Sequence, residues 1–183
     1  MRRSISFMIL FFVMLSVLVS CYQSHKKELD LAYTLAESKP DSALSFLNRI
    51  NQGKLSDEDM AKYALTYYMA QDKSGLDVDN DSLIRIAYDW YGEHQDDSLY
   101  ATTLYYMGKY FLLNDSMEQA KACLDKSYSI SDSLHHLNVK CLALDKLIEV
   151  EEQLAPYKAL RYAKDLVKMY ESMPNVSILK FLK

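Results

Sequence analysis

The side chains of this sequence that could do chemistry are mostly carboxylates and histidines, and an acidic loop is the first group to consider. Asp77, Asp79 and Asp81 alternate as in a calcium-binding loop, whose oxygens converge around a sharp glycine turn. Ser82 stands where the glycine is needed, and Tyr88 stands where a closing glutamate is needed. A solvated loop that ends in a helix cap is the favoured interpretation.

The other histidines and carboxylates do not form a catalytic pattern. His135 and His136 are adjacent and would point apart on a helix, which makes them a poor metal-binding pair. The sequence has no glycine-rich phosphate loop and no serine-histidine-acid arrangement in a recognisable context. We therefore predict no enzymatic activity, no metal site and no cofactor. A solvated helix face explains the remaining acidic stretch, which contains Asp145, Glu149, Glu151 and Glu152.

A short triplet, Asp-Ser followed by an apolar residue, occurs five times. It resembles an O-glycosylation acceptor of some periplasmic systems, and that resemblance implies modification of the serine. Each copy also lies at a predicted helix start, where Asp and Ser oxygens can accept hydrogen bonds from unpaired backbone amides. Capping accounts for every copy, and both interpretations stay open. The serines concerned are Ser42, Ser82, Ser98, Ser116 and Ser133.

Residues 1–21, MRRSISFMILFFVMLSVLVSC, have the pattern of an export signal. A basic start precedes an apolar run that is too short for an ordinary membrane-spanning helix. The ending Leu18-Val19-Ser20-Cys21 resembles a lipobox, which implies cleavage before Cys21 and attachment of a diacylglyceryl group and a further acyl chain such as palmitate. The alternative is a short N-terminal anchor helix with an incidental cysteine.

Residues 22–27 are polar and are predicted to be a spacer between the lipid and the fold. In some Gram-negative lipoproteins an acidic run directly after the lipidated cysteine marks export to the cell surface. This sequence has no such run after Cys21. We therefore expect a lipid-anchored protein of the cell envelope, held on the outer membrane and facing the periplasm.

Composition and charge exclude some classes of partner. The chain has 183 residues and a formal net charge of −4, so it lacks the basic surface that nucleic-acid binding requires. Four glycines and three prolines, with abundant Leu, Ala and Tyr, favour helices over sheet. Cys123 and Cys141 could form a disulfide in the periplasm, but two thiols packed between helices are the favoured interpretation.

Two helices and a tight turn are predicted over residues 101–134. Large and small residues recur at helical spacing in each helix, and residues 114–116, Asn-Asp-Ser, supply the turn. Gly108 and Ala120 would let the two backbones approach closely. Neither helix has a partner for its second face, so neighbouring hairpins are expected. The apolar positions are Leu104, Met107, Gly108 and Phe111, then Ala120, Leu124 and Ser127.

This order of large, small and aromatic residues resembles the tetratricopeptide (TPR) repeat, a unit of about 34 residues. Equivalent hairpins recur at irregular, longer intervals, each with a small or aliphatic anchor in its second helix. The resemblance implies an all-α, TPR-like α-solenoid of about four antiparallel helical hairpins over residues 28–173. The four anchors are Ala43, Ile84, Ala120 and Ala159.

The whole pattern resembles the amino-terminal part of longer TPR lipoproteins of Gram-negative anaerobes. Residues 174–183 form a C-terminal tail, which we interpret either as a truncation or as an interaction segment. Its apolar residues, from Ile178 to Leu182, are expected to pack on another chain.

TPR domains usually bind a peptide or a partner helix along the concave face that the first helix of each hairpin lines. The resemblance therefore implies a scaffold that binds a protein or peptide in the envelope. The sensor part of a membrane-associated regulator and a glycan-capture lipoprotein are the alternatives. The concave positions are Lys62 and Thr66, then Thr102, Tyr105 and Lys109, then Asn138 and Asp145.

Overall fold

A computed structural model of the protein describes residues 25–76, 81–94 and 97–172. These residues form eight α-helices and one short 3-10 helix, and no strand occurs among them, which confirms the all-α prediction. They divide into two compact units, residues 25–76 in the first and residues 81–94 and 97–172 in the second. The predicted export signal with Cys21, Asp77 and Asp79 of the acidic loop, and residues 173–183 lie outside the described residues.

The first unit contains α1 (residues 25–38), α2 (Pro40–Leu47), a 3-10 helix (Gln52–Lys54) and α3 (Asp57–Lys73). Residues 25–27, which were assigned to the spacer, belong to α1. Pro40 opens α2, since proline is tolerated in the first turn of a helix but not within it. Ser56 caps α3 by accepting a hydrogen bond from the Asp59 amide.

The core of the first unit is a small cluster to which all three α-helices contribute. Leu29 and Ala32 of α1, Leu47 of α2 and Tyr63 of α3 are buried together. The Tyr63 hydroxyl accepts a hydrogen bond from Gln52 Nε2 at 2.9 Å, which satisfies its polar end. Burial raises the pKa of Tyr63 above its ordinary value.

The described residues of the second unit form five helices, and consecutive helices pack on one another from α4 to α8. In addition, α5 contacts α7. The helices are α4 (Ser82–His94), α5 (Asp97–Leu113), α6 (Met117–Ser133), α7 (Leu137–Leu154) and α8 (Pro156–Ser172).

The α5–α6 and α6–α7 turns have the same backbone geometry. Asp115 and His135 adopt left-handed conformations with φ of 53° and 54°. The residue after each one closes the turn: the Ser116 amide donates to the Phe111 carbonyl at 2.9 Å, and the His136 amide donates to the Ser131 carbonyl at 2.8 Å. His135 and His136 therefore lie in a turn, and their predicted helical placement is wrong.

In the second unit α5 and α6 approach each other closely at Gly108. A Cβ atom on Gly108 would lie 2.7 Å from Leu124 Cγ and 3.4 Å from the Ala120 carbonyl oxygen. The predicted role of Gly108 and Ala120 is thereby confirmed. A buried hydrogen bond of 2.7 Å from the Ser127 hydroxyl to the Ala101 carbonyl joins the same two helices.

The thiols of Cys123 and Cys141 are free and buried, as the favoured interpretation predicts. Cys141 packs with Leu144 of α7 and Leu166 of α8. Burial raises the pKa of the Cys123 thiol to about 11 and also raises that of Cys141. Both side chains therefore act as small apolar residues between helices. All four predicted anchors are buried as well: Ala43, Ile84, Ala120 and Ala159.

Candidate partner-binding surface

The three predicted contact residues of α5 differ in exposure. Thr102 and Tyr105 are buried, and the Thr102 hydroxyl donates to the Ser98 carbonyl at 3.2 Å. Lys109 is half-buried, and its Nζ lies 5.9 Å from the centroid of the Tyr105 ring and 6.0 Å from that of Tyr106. The two rings hold the ammonium group by cation–π attraction. The ammonium group of Lys109 is therefore the positive charge that α5 can offer to a partner, and the Tyr105 ring packs against it.

The two predicted residues of α7 are exposed. Asn138 lies in the first turn of the helix, and Asp145 lies two turns further along. Asp145 Oδ2 is 3.9 Å from Lys146 Nζ, while Lys146 makes a closer contact of 2.8 Å with Glu149. Gly108 of α5 and Leu144 of α7 hold equivalent positions in the predicted repeats, and these two helices are in contact. Lys109 directly follows Gly108, and Asp145 directly follows Leu144.

The two predicted residues of the first unit interact within that unit. Lys62 of α3 forms an ion pair with Asp30 of α1. The Thr66 side chain is buried and donates its hydroxyl hydrogen to the Lys62 carbonyl at 2.7 Å. A second ion pair, between Lys73 and Glu37 at 2.6 Å, joins the same two helices. In this unit Lys62, the one charged side chain predicted to contact a partner, holds α1 against α3 together with Lys73.

A buried ion pair between α6 and α7 was not predicted. Lys121 Nζ lies 2.8 Å from Glu151 Oε1 and 2.8 Å from Asp125 Oδ2. Glu151 is only 1% exposed, so its assignment to a solvated helix face is wrong. Burial by itself lowers the pKa of Lys121, but the hydrogen bonds to Asp125 and Glu151 outweigh it and raise the pKa to about 12.

One signal in the sequence could have revealed this pair. Glu151 follows Leu144 and Leu147 at helical spacing, so it continues the apolar stripe of α7. Lys121 directly follows the anchor Ala120. A carboxylate on one stripe and a lysine beside the neighbouring stripe together indicate a pair between helices.

The Asp-Ser triplets are not all at helix starts. Four of them begin or immediately precede a helix, but Asp132 and Ser133 are the last two residues of α6. There Asp132 Oδ1 accepts a hydrogen bond from Lys140 Nζ at 2.5 Å, and the Ser133 hydroxyl donates to the Ile130 carbonyl. Capping of a helix start therefore does not explain that copy, and the starts of α2 and α6 also have no side-chain capping hydrogen bond at their N-cap residues, Lys39 and Ser116. Ser116 is half-buried and the other four serines are exposed: Ser42, Ser82, Ser98 and Ser133.

Within the described residues, no three His, Cys, Asp or Glu side chains are close enough together to hold a metal ion. Among the helices described above, none combines the length and the hydropathy that a membrane crossing requires. Comparison with protein-family models, with curated proteins and with solved structures finds no match. The functional interpretation therefore rests on the residues and their geometry.

Proposed function

We propose that this protein is a TPR-like scaffold that binds a protein or peptide partner in the cell envelope, without catalysis. The observation that carries the proposal is the order of helix contacts in the second unit. Helix α5 packs on α6, α6 packs on α7 and α7 packs on α8, and α5 also contacts α7. In stacked helical hairpins this order places the first helices of successive hairpins side by side, where they form one continuous surface.

Gly108 supports the same proposal. A TPR hairpin needs a small residue where its two helices cross, and Gly108 meets Leu124 and Ala120 at that place. The buried anchors Ala120 and Ala159 hold the corresponding positions of the last two hairpins described. This packing and the matching residue types support the proposal of two consecutive repeats in the second unit.

The binding surface of this proposal consists of half-buried Lys109, near the C-terminal end of α5, and exposed Asn138 and Asp145 of α7. Lys109 supplies a positive charge over the Tyr105 ring, and Asp145 supplies a negative charge on the neighbouring helix. Asn138 adds an amide that can both donate and accept hydrogen bonds. A partner segment with a carboxylate near Lys109 and a basic group near Asp145 would be complementary to this surface. Thr102 and Tyr105 would support this surface from below.

The proposal includes a lipid anchor on Cys21 that faces the periplasm. Its support is the lipobox-like ending of residues 1–21 and the polar residues that follow. Such an anchor would hold the helical units close to the membrane and confine the search for partners to the envelope.

Site-specific photo-crosslinking in intact cells tests the binding surface. A photoreactive amino acid replaces Asn138 of α7 in one strain and Glu118, an exposed residue of α6, in another. We expect a single protein adduct from position 138 and none from position 118. The double variant Lys109→Glu, Asp145→Lys should lose the adduct, because both charges that face the partner are reversed. The variant Lys54→Glu, an exposed lysine of the first unit, is the control and should retain it.

Equal adducts from positions 118 and 138, or an adduct that survives the double reversal, would refute this surface. Absence of any protein adduct together with oligosaccharide binding in calorimetry would favour glycan capture instead.

A further inference from the structure

The last described helix, α8, has an apolar side that nothing in the described residues covers. Tyr157, Leu160 and Val167 are 74%, 59% and 54% exposed. Their spacing places Leu160 and Val167 on one side of the helix, next to the buried face formed by Ala159 and Leu166. Large apolar side chains in one such row indicate a surface that another element covers.

The α6–α7 interface shows what kind of element fits there. When the buried anchors Ala120 of α6 and Ala159 of α8 are aligned, Leu160 corresponds to Lys121 and Val167 corresponds to Tyr128. On α6 the side chains at both of these positions contact α7, which is the next helix in the chain. Lys121 Nζ is 2.8 Å from Glu151 of α7, and the Tyr128 ring lies 5.5 Å from Lys140 Nζ of α7.

Tyr128 also packs against the cluster that contains Cys141 and Leu144 of α7. The equivalent side of α8 is therefore shaped to receive a helix that lies as α7 lies on α6. It differs from the α6 surface at both positions, since aliphatic Leu160 replaces the charged Lys121 and aliphatic Val167 replaces Tyr128.

The charges around this side favour one class of occupant. Lys164 lies between Leu160 and Val167 along the exposed side, and Arg161 and Lys168 lie further round the helix. Four of the six charged residues of α8 are basic, and Glu171, four residues after Val167, is the acidic residue on this side. Two copies paired antiparallel through α8 and centred on Lys164 would place like charges together. Residues 173–183 contain Lys180 and Lys183 but no acid, so they offer no complementary charge.

We propose that this side of α8 binds an amphipathic helix of a partner protein whose polar flank is acidic. The helix lies on α8 as α7 lies on α6, with apolar residues against Leu160 and Val167 and carboxylates near Lys164 and Arg161. This is a second docking surface, separate in sequence from the α5–α7 surface, and it goes beyond the function proposed above.

A synthetic peptide derived from α7 serves as the probe. It contains residues 137–154 with Lys140→Leu, Cys141→Ala and Glu151→Leu, because the positions that oppose Leu160 and Val167 need apolar partners. Asp145, Glu149 and Glu152 remain and make it acidic. Its affinity for the full-length chain in detergent is measured by fluorescence anisotropy. A charge-reversed control peptide carries Asp145→Lys, Glu149→Lys and Glu152→Lys.

We expect the acidic probe to bind and the charge-reversed peptide to bind at least about tenfold more weakly. The variant Leu160→Asp, Val167→Asp should also weaken probe binding by at least about tenfold, since it removes both apolar contacts and adds like charge. Leu160→Met should retain binding, which separates loss of the surface from loss of the fold. Circular dichroism and thermal melting check folding of each variant. The reversal Lys109→Glu, Asp145→Lys should leave probe binding unchanged.

Several results would overturn the proposal. One is absence of probe binding, and another is equal binding by the parent and the Leu160→Asp, Val167→Asp variant, which would mean that the peptide displaces α7. A dimer in light scattering that this variant abolishes would assign the surface to a second copy. Tighter probe binding after Ile178→Asp, Phe181→Asp would assign it to the chain's own residues 173–183. Failure of this probe leaves the photo-crosslinking result at Asn138 unaffected, so the two proposals fail separately.

Discussion

At the scale of single residues, Gly108 is the position where one added methyl group should have the largest effect. The new Cβ would lie 2.7 Å from Leu124 Cγ and 2.9 Å from Leu124 Cδ2, and Leu124 is fully buried. Overpacking of this kind costs about 1–3 kcal/mol, and the better helix propensity of alanine returns up to about 1 kcal/mol. We expect Gly108→Ala to lower the free energy of unfolding by about 1 kcal/mol or more in urea titrations.

Gly92 of α4 provides the matched control for this substitution. It is also helical, but it is exposed, and the nearest atom to an added Cβ is the Tyr100 hydroxyl oxygen at 3.3 Å. That oxygen is the far end of a side chain, so it can move aside. Gly92→Ala should therefore leave the free energy of unfolding unchanged or raise it by up to about 1 kcal/mol. Equal destabilisation by the two substitutions would contradict the proposed close approach of α5 and α6.

At the scale of helices, the pair between Lys121 and Glu151 joins α6 to α7. Lys121→Met should be strongly destabilising, by about 3 kcal/mol or more, because Glu151 would remain buried without its partner. The double variant Lys121→Met, Glu151→Leu should recover most of this loss, since an apolar pair can occupy the same space. Urea unfolding of the parent, both single variants and the double variant gives the coupling energy between the two residues.

Lys146→Met is the control for this cycle. The Lys146 side chain is 28% exposed, as that of Lys121 is, but its partner Glu149 is 52% exposed whereas Glu151 is 1% exposed. Exposed pairs contribute about 1 kcal/mol or less, so this substitution should have a small effect. A double variant that is no more stable than Lys121→Met would show that the pair does not hold the two helices as described.

At the scale of the whole molecule, the state of the three cysteines tests the predicted anchor. Cys123 and Cys141 are buried with raised pKa values, so in the folded protein they should react slowly with Ellman's reagent at neutral pH. After denaturation we expect two reactive thiols per chain purified from the envelope, because lipid on Cys21 would block the third. The Cys21→Ser variant should give the same number.

Each other result of the thiol titration has a defined meaning. Three thiols in the denatured parent would show that Cys21 carries no lipid. No thiols until a reductant is added would show a disulfide between Cys123 and Cys141, contrary to the free thiols of the structure.

Most helix boundaries could be predicted because they depend on local chemistry. Lys39 and Pro40 separate α1 from α2, Ser56 caps α3, and Pro156 opens α8, all of which follow from the conformational limits of a few adjacent residues. Residues 25–27 and the turn at His135 and His136 are exceptions, and so is the last Asp-Ser triplet. Its residue types suit a helix start, but hydrogen bonds to Lys140 and within α6 place it at a helix end.

The sequence by itself determined the helical class, the apolar stripes and the small residue at the α5–α6 crossing, because the 3.6-residue period and the absence of a side chain on glycine act within one or two turns. Only the tertiary structure decided which side chains remain available to a partner. Thr102 and Tyr105 are buried, Glu151 is paired inside, and Leu160 and Val167 are exposed. The physical reason is that exposure depends on which neighbouring helix covers each face, and residues distant in sequence supply that neighbour.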